Sequence, residues 1–284
     1  MRDSLFILMQ YLIPQHWVSR LVGRLANSQR PFIRTLFINW FAKRFNVNMA
    51  EAAESDLAAY TSFNEFFTRS LKADARPLSA GDKDVICPAD GVISQLGHIE
   101  HGRIFQAKGK GYSVEALLGA DLALAQAFTG GCFATVYLSP RDYHRVHMPV
   151  SGRLRKMIYV PGNLFSVNKL TSERVDGLFA RNERLVCVFD TDNGPMALVL
   201  VGAMIVAGIE TVWSGHVCPN NGLLFEIDYA DNKSPVVLKK GDEMGRFKLG
   251  STVVAVFGAG MLELNPDLAA GSAVNMGQKL GAGR

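Results

Sequence analysis

Leu185-Val186-Cys187-Val188-Phe189-Asp190, then Thr191-Asp192-Asn193-Gly194-Pro195, then Met196-Ala197-Leu198-Val199-Leu200-Val201 is the stretch that decides the fold. Two short apolar runs rich in valine and leucine flank a cluster of turn residues. Runs of that length bounded by Gly, Pro, Asp and Asn read as strand, turn, strand. The same texture starts near residue 84 and continues. Further strands are expected at 91–97, 103–107, 132–138, 152–159, 204–209, 223–229 and 252–257. One helix is expected near 114–128, where Val114, Leu117, Leu118, Leu122 and Leu124 cluster. The glycine-rich tail, 271–284, is expected to be mobile.

Upstream of this region the pattern differs. Residues 1–80 read mostly as helix, with a helix start at Thr61-Ser62-Phe63-Asn64-Glu65 followed by Phe66, Phe67 and Leu71. The expected fold is therefore α+β. N-terminal amphipathic helices (1–80) precede a β-rich, mostly antiparallel, sandwich- or barrel-like domain (81–284). With 284 residues, 48% of them hydrophobic and 20% charged, the chain can build a sizeable core. That composition excludes a largely disordered chain and a disulfide-dense scaffold. Four widely spaced cysteines, Cys87, Cys132, Cys187 and Cys218, read as reduced thiols, and no metal site is expected from them.

Charge is unevenly spread. The chain carries +4 in all, but residues 1–50 hold seven Lys or Arg against one acid, Asp3, hence +6 there and −2 in the rest. The apolar run Leu5–Ile13 stops at Pro14, too short to span a bilayer, and no small-residue cleavage site follows it. Two short amphipathic helices, one on each side of Pro14, fit this pattern. A basic helix with Trp and Phe suits an anionic membrane surface. A helical layer with a solvated basic face fits the same residues. No nucleic-acid motif accompanies the charge, and no nucleic-acid partner is expected.

Three places can carry chemistry. Asp90, in Cys87-Pro88-Ala89-Asp90-Gly91, sits in a turn before a strand, where Asp-Gly is also an ordinary turn pair. His144 and His147, in Tyr143-His144-Arg145-Val146-His147-Met148-Pro149, offer imidazoles, the usual bases near neutral pH. His98 and His101 share their spacing, so spacing alone says little. Gly250-Ser251 precedes an apolar strand, and a glycine there permits close approach to its carbonyl. Asp, His and Ser in that order can form a triad.

Taken together, the motifs resemble those of the bacterial-type, pyruvoyl-dependent phosphatidylserine decarboxylases, nearly end to end. The resemblance rests on Phe63-Asn64-Glu65-Phe66-Phe67-Thr68-Arg69, Pro88-Ala89-Asp90-Gly91 and Tyr143 to Pro149. It continues through Pro161-Gly162-Asn163-Leu164-Phe165-Ser166-Val167-Asn168, Gly245-Arg246-Phe247 and Leu249-Gly250-Ser251-Thr252. It implies a proenzyme in which Asp90 and His147 activate Ser251 to attack the Gly250 carbonyl. The ester so formed eliminates to leave a β chain, 1–250, and an α chain, 251–284, that begins with a pyruvoyl group made from Ser251. That covalent pyruvate is the implied cofactor; it forms a Schiff base with the serine amine of phosphatidylserine, and loss of CO₂ gives phosphatidylethanolamine. His144 is implied in decarboxylation and Ser166 in substrate contact or proton delivery. The implied partners are phosphatidylserine, an anionic membrane and the enzyme's own two chains as a heterodimer, with room for a homodimer of these. The implied location is peripheral, on the cytoplasmic face of the cell membrane. A serine hydrolase using the same Asp, His and Ser is the competing reading, though the serine lacks a Gly-x-Ser-x-Gly elbow. A non-catalytic lipid-carrying β domain is a third.

Overall fold

The computed structural model describes residues 2–107, 109–205, 208–218 and 222–283, with only the backbone of Arg2 and Ser251. The deciding stretch is a hairpin. Arg184–Thr191 pairs antiparallel with Gly194–Val201, Leu185 opposite Leu200 and Phe189 opposite Met196. These two strands lie inside a nine-stranded antiparallel sheet. Its core runs Gly152–Val160, Arg184–Thr191, Gly194–Val201, Ser251–Phe257, Cys132–Leu138 and Gly91–His98 in spatial order.

Both faces of this sheet are covered, which explains why its strands are apolar without alternation. Leu185, Cys187, Phe189, Val253, Ala255 and Phe257 point into one core. Val186, Val188, Val254 and Val256 point into the other. Over the first face lie a four-stranded sheet containing Arg145–His147 and Glu243–Lys248, and a three-stranded sheet containing Asp84–Ile86 and Lys279–Gly283. Over the second lie the Arg103–Ala107/Lys110–Ser113 ribbon and short helices. The result is the expected α+β sandwich; among the described residues no barrel closes.

The N-terminal region folds as α1 (Arg2–Leu12), α2 (Gln15–Ala26), α3 (Pro31–Phe45) and α4 (Phe63–Phe67). Pro14 separates α1 from α2 as expected. Ser62 caps α4 by accepting the Glu65 N–H, and Glu65 reaches back to the Thr61 N–H, a reciprocal cap. The helix stops at Phe67, short of Leu71, which instead bridges to Ala52. Ile38, Phe41, Phe63, Phe66 and Phe67 form a third, aromatic core with Leu249 of the β domain.

Four expectations need correction. The 114–128 helix is two pieces, Val114–Leu117 and Leu122–Gln126, because Gly119 and Ala120 both take positive φ between them. The expected 204–209 strand is a turn at Met204 and Ile205; residues 206 and 207 lie outside the described residues, and pairing begins at Gly208. Residues 223 and 224 precede the Phe225–Asp228 strand and do not join it. The tail is ordered structure. Lys279–Gly283 is the middle strand of its sheet, and Ala273–Val274 pairs with the Gly91–His98 strand. Its glycines let backbones meet: a Cβ on Gly281 would fall 2.3 Å from the Glu263 carbonyl oxygen.

Candidate active site

Ser251 opens the central Ser251–Phe257 strand and pairs with Leu138. Its side chain lies outside the described residues. The two residues before it are unusual. Leu249 has φ +73° and Gly250 φ +63°, so two consecutive residues are left-handed. For leucine this costs about 1–2 kcal/mol. Packing holds it there, since the Leu249 side chain is buried among the aromatic residues of α3 and α4. At Gly250 a Cβ would meet nothing within 4 Å, so its glycine answers to backbone conformation. Strain is thus concentrated beside the Gly250–Ser251 peptide.

On the far side of the Cys132–Leu138 strand, Val92 pairs with Tyr137, which sets Gly91 level with Leu138. Asp90 therefore stands roughly 10 Å, two strand spacings, from the Gly250–Ser251 backbone. Its carboxylate is fully engaged. Arg76 donates to both oxygens (Nη2 to Oδ2 at 2.6 Å, Nε to Oδ1 at 2.9 Å), and the Met276 N–H donates to Oδ1 at 2.8 Å. Arg76 also pairs with Glu51 at 2.8 Å. These carboxylates, with burial opposing, hold the guanidinium firmly charged, its pKa raised mainly by the Asp90 hydrogen bond.

His147 is buried behind this pair. Its backbone N–H donates to the Pro88 carbonyl at 2.8 Å, which ties it to the Asp90 segment. The Gly241 carbonyl accepts from Nδ1 at 2.8 Å, since a carbonyl cannot donate. Nε2 therefore carries the lone pair and accepts from the Tyr143 hydroxyl at 2.9 Å. Burial pushes His147 below the usual imidazole range, against the Gly241 hydrogen bond and the charges of Glu243 and Asp90. Among the described residues no hydrogen bond joins Asp90 to His147; the carboxylate acts on the ring through its field.

His144 is wholly buried, its ring 4.0 Å from that of Phe67. Nδ1 donates to the Asp142 carbonyl at 2.8 Å, and Nε2 has no partner among the described residues. Burial pushes it down to about 3, so it is a neutral base with a free lone pair at neutral pH. Arg69 nearby is buried with Nε and Nη1 unpartnered among the described residues.

Gly250, Leu249, Phe67 and Ser166 line one apolar cavity of about 270 Å³ between α2, α3 and the sheet. The Ser166 N–H donates to the buried Gln10 Oε1 of α1, and the Leu164 N–H to Gln15 Oε1 of α2. The structure thus brings Ser166 and Gly250 onto one cavity with His144 behind Phe67. It places Asp90 and His147 together, with the Cys132–Leu138 strand between the Asp90 segment and Ser251–Phe257. Gln10 and Gln15 were not legible as site residues, because their partners lie 156 and 149 residues away; Arg76 lies outside every quoted motif, and Tyr143 lies inside one that drew attention to its histidines. The four cysteines are buried and free, and burial raises each thiol, Cys87 and Cys132 to about 12, which makes them poor nucleophiles.

A family model described as phosphatidylserine decarboxylase matches residues 63–282, and another, described as PSD, matches residues 5–46. The phosphatidylserine decarboxylase proenzyme of Pseudomonas putida is 58% identical over 283 residues, 99% of this chain and 99% of the relative. That of Pseudomonas fluorescens is 58% identical over 284 residues, 100% of this chain and 99% of the relative. The proenzyme of Alcanivorax borkumensis is 59% identical, covering 99% of this chain and 97% of the relative.

Proposed function

Because this chain belongs to the phosphatidylserine decarboxylase family, we propose that it is a proenzyme that cuts itself between Gly250 and Ser251 and uses the resulting pyruvoyl group at a membrane surface. The observation that carries this reading is the left-handed Leu249–Gly250 pair, held against an apolar cavity at the head of the central strand. The strain held at Leu249 fixes the turn that presents the Gly250 carbonyl for attack.

His147, neutral through burial, takes the Ser251 hydroxyl proton at Nε2 once the Tyr143 hydroxyl yields that lone pair, and the Asp90 charge favours the cation that results. Serine oxygen bonds to the Gly250 carbonyl carbon as the peptide C–N bond breaks, giving an ester with a free amine at residue 251. Removal of the α proton expels the Gly250 carboxylate. Water then replaces nitrogen at residue 251, and ammonia leaves. The residues leave room for a pyruvoyl group at 251: a Cβ on Gly250 would meet nothing within 4 Å, and Gly250 lines the apolar cavity together with Phe67, against whose ring His144 packs. When present, that group supplies an electron sink for loss of CO₂ from the serine headgroup. In this reading His144 moves a proton in that step, and the Ser166 segment, pinned by Gln10 and lining the cavity, shapes the headgroup side.

The helices support docking of region 1–80 on a membrane surface, the inner leaflet in this proposal. α2 buries Gln15, Ser19, Gly23 and Ala26 and turns Trp17, Leu21 and Leu25 outward. α3 turns out Phe32, Leu36 and Trp40, the first 79% exposed. Each triplet follows i, i+4, i+8, a continuous stripe. Exposed apolar stripes beside Arg20, Arg24 and Arg34 fit an anionic lipid interface. Among the described residues no helix is long and apolar enough to cross a membrane.

A two-stage mutant set tests the chemistry. Ser251→Ala and His147→Ala are expected to remain one inactive chain. His144→Ala is expected to be cut, to react with hydroxylamine, and to decarboxylate roughly 10²–10⁴-fold more slowly. An uncut His144→Ala chain, or a cut Ser251→Ala chain, overturns the assignment.

A further inference from the structure

The helices are not the whole of the exposed apolar surface. Leu223 is 75% exposed and Leu224 51% exposed, side by side in the loop before Phe225–Asp228. Two large aliphatic side chains together in water call for a reason. Register gives their place. Phe225 pairs with Tyr159 on the Gly152–Val160 strand, so the loop leaves the sheet where that strand ends. Just beyond, His16 of α2 donates to the Gly162 carbonyl at 2.9 Å. A second β-domain segment meets α2 nearby: the Ile205 N–H donates to Ser19 Oγ at 3.0 Å, and the Ile205 side chain is exposed. Trp17 and Arg20 of α2 face outward at this same end.

The geometry points to a two-part docking surface: Leu223 and Leu224 of the β domain enter the same anionic bilayer interface as the outward stripe of α2. This rests on the docking proposed above and extends it beyond region 1–80. The occupant is lipid, because the leucines leave the sheet at the end that α2 meets, and the outward stripe of α2 sets Trp17 beside Arg20 and Arg24, the chemistry of acyl chains beneath anionic headgroups. A second anchor on the sheet would fix the orientation of the cavity mouth, rimmed by Trp40 and Ile205, toward the bilayer.

The fold contains its own control. Val237 is 60% exposed and pairs with Arg153, at the other end of the same strand. Arg153 lies six residues from Tyr159, roughly 20 Å along the strand, whereas interfacial side chains enter only about 5–10 Å. Exposure and apolarity are therefore matched, and position differs.

The test uses the full chain with Leu224→Cys, Val237→Cys or Trp17→Cys, each labelled with bimane; the four native thiols are buried. Vesicles contain phosphatidylcholine and phosphatidylglycerol with brominated acyl chains. The expected result is a blue shift and strong quenching at positions 17 and 224, and neither at 237. Quenching at 17 without 224 overturns the second anchor and leaves helix docking standing. Equal quenching at 224 and 237 shows indiscriminate adsorption and overturns it too. No quenching at any position removes the docking reading itself. Leu223→Asp with Leu224→Asp is expected to weaken vesicle affinity by roughly tenfold or more; unchanged affinity contradicts the proposal.

Discussion

Arg76 is the residue on which the Asp90 side of the site depends. It covers both carboxylate oxygens and bonds Glu51, and its own side chain is 12% exposed. Removing one partner of a buried pair leaves the other charged and unpaired, at about 3–5 kcal/mol. Arg76→Met is therefore expected to lower Tm by about 10 °C or more; a change under ~2 °C contradicts the buried-pair account. The two histidines give a pH prediction. Both are held below their ordinary value of 6.5 by burial. The unfolded chain binds protons at His144 that the folded chain refuses, so stability is full above about pH 6.5 and falls as pH drops toward 3. The slope is up to ~1.4 kcal/mol per pH unit for this histidine. Denaturant melts of Ser251→Ala at pH 7 and pH 5, with and without His144→Phe, check it: the second substitution is expected to flatten the dependence, and equal slopes contradict it. Asp90, His144, His147 and the Gly250–Ser251 step were singled out from their motifs, and the structure puts His147 against the Asp90 segment and Gly250 on the cavity. Arg76 and the Met276 N–H were not singled out, since the latter reaches Asp90 from 186 residues away.

The Ser251–Phe257 strand lies between Gly194–Val201 and Cys132–Leu138, bonded on both edges. Val253, Val254, Val256 and Phe257 are completely buried, worth on the order of 8 kcal/mol at ~2 kcal/mol each. The tail adds two further strands and the Met276 bond to Asp90. After cleavage the two chains are thus expected to co-elute in native size exclusion and to part only in denaturant; separation in native buffer contradicts this. Long valine-rich runs announced their strands within a residue or two, because both faces of this sheet are buried. Arg145–His147 and Glu243–Lys248 escaped notice: each is short or charged, and a single buried face supports it. The tail misled because glycine signals freedom in sequence, whereas here it permits backbones to approach.

For the whole molecule, the outward apolar stripes of α2 and α3 are what the proposed docking sets against lipid. Basic charge and apolar side chains act together there, so binding to vesicles containing phosphatidylglycerol is expected to weaken several-fold between 0.1 and 0.5 M salt, as screening shortens to a few ångströms. Salt-independent flotation would place the whole of the affinity on apolar contact. The sequence could show the basic, apolar N-terminus, but not which face turns outward: the buried face carries Gln10, Gln15 and Ser19, polar residues whose partners lie on the β domain. The central claim, self-cleavage at Gly250–Ser251 to a pyruvoyl chain, is tested most directly by intact mass spectrometry of the purified protein. The account predicts two chains, residues 1–250 and a 34-residue chain from 251 to 284, the latter lighter by one ammonia than the peptide with an amino-terminal serine. A single chain of 31.0 kDa in folded protein, or a small chain that still begins with serine, would contradict it.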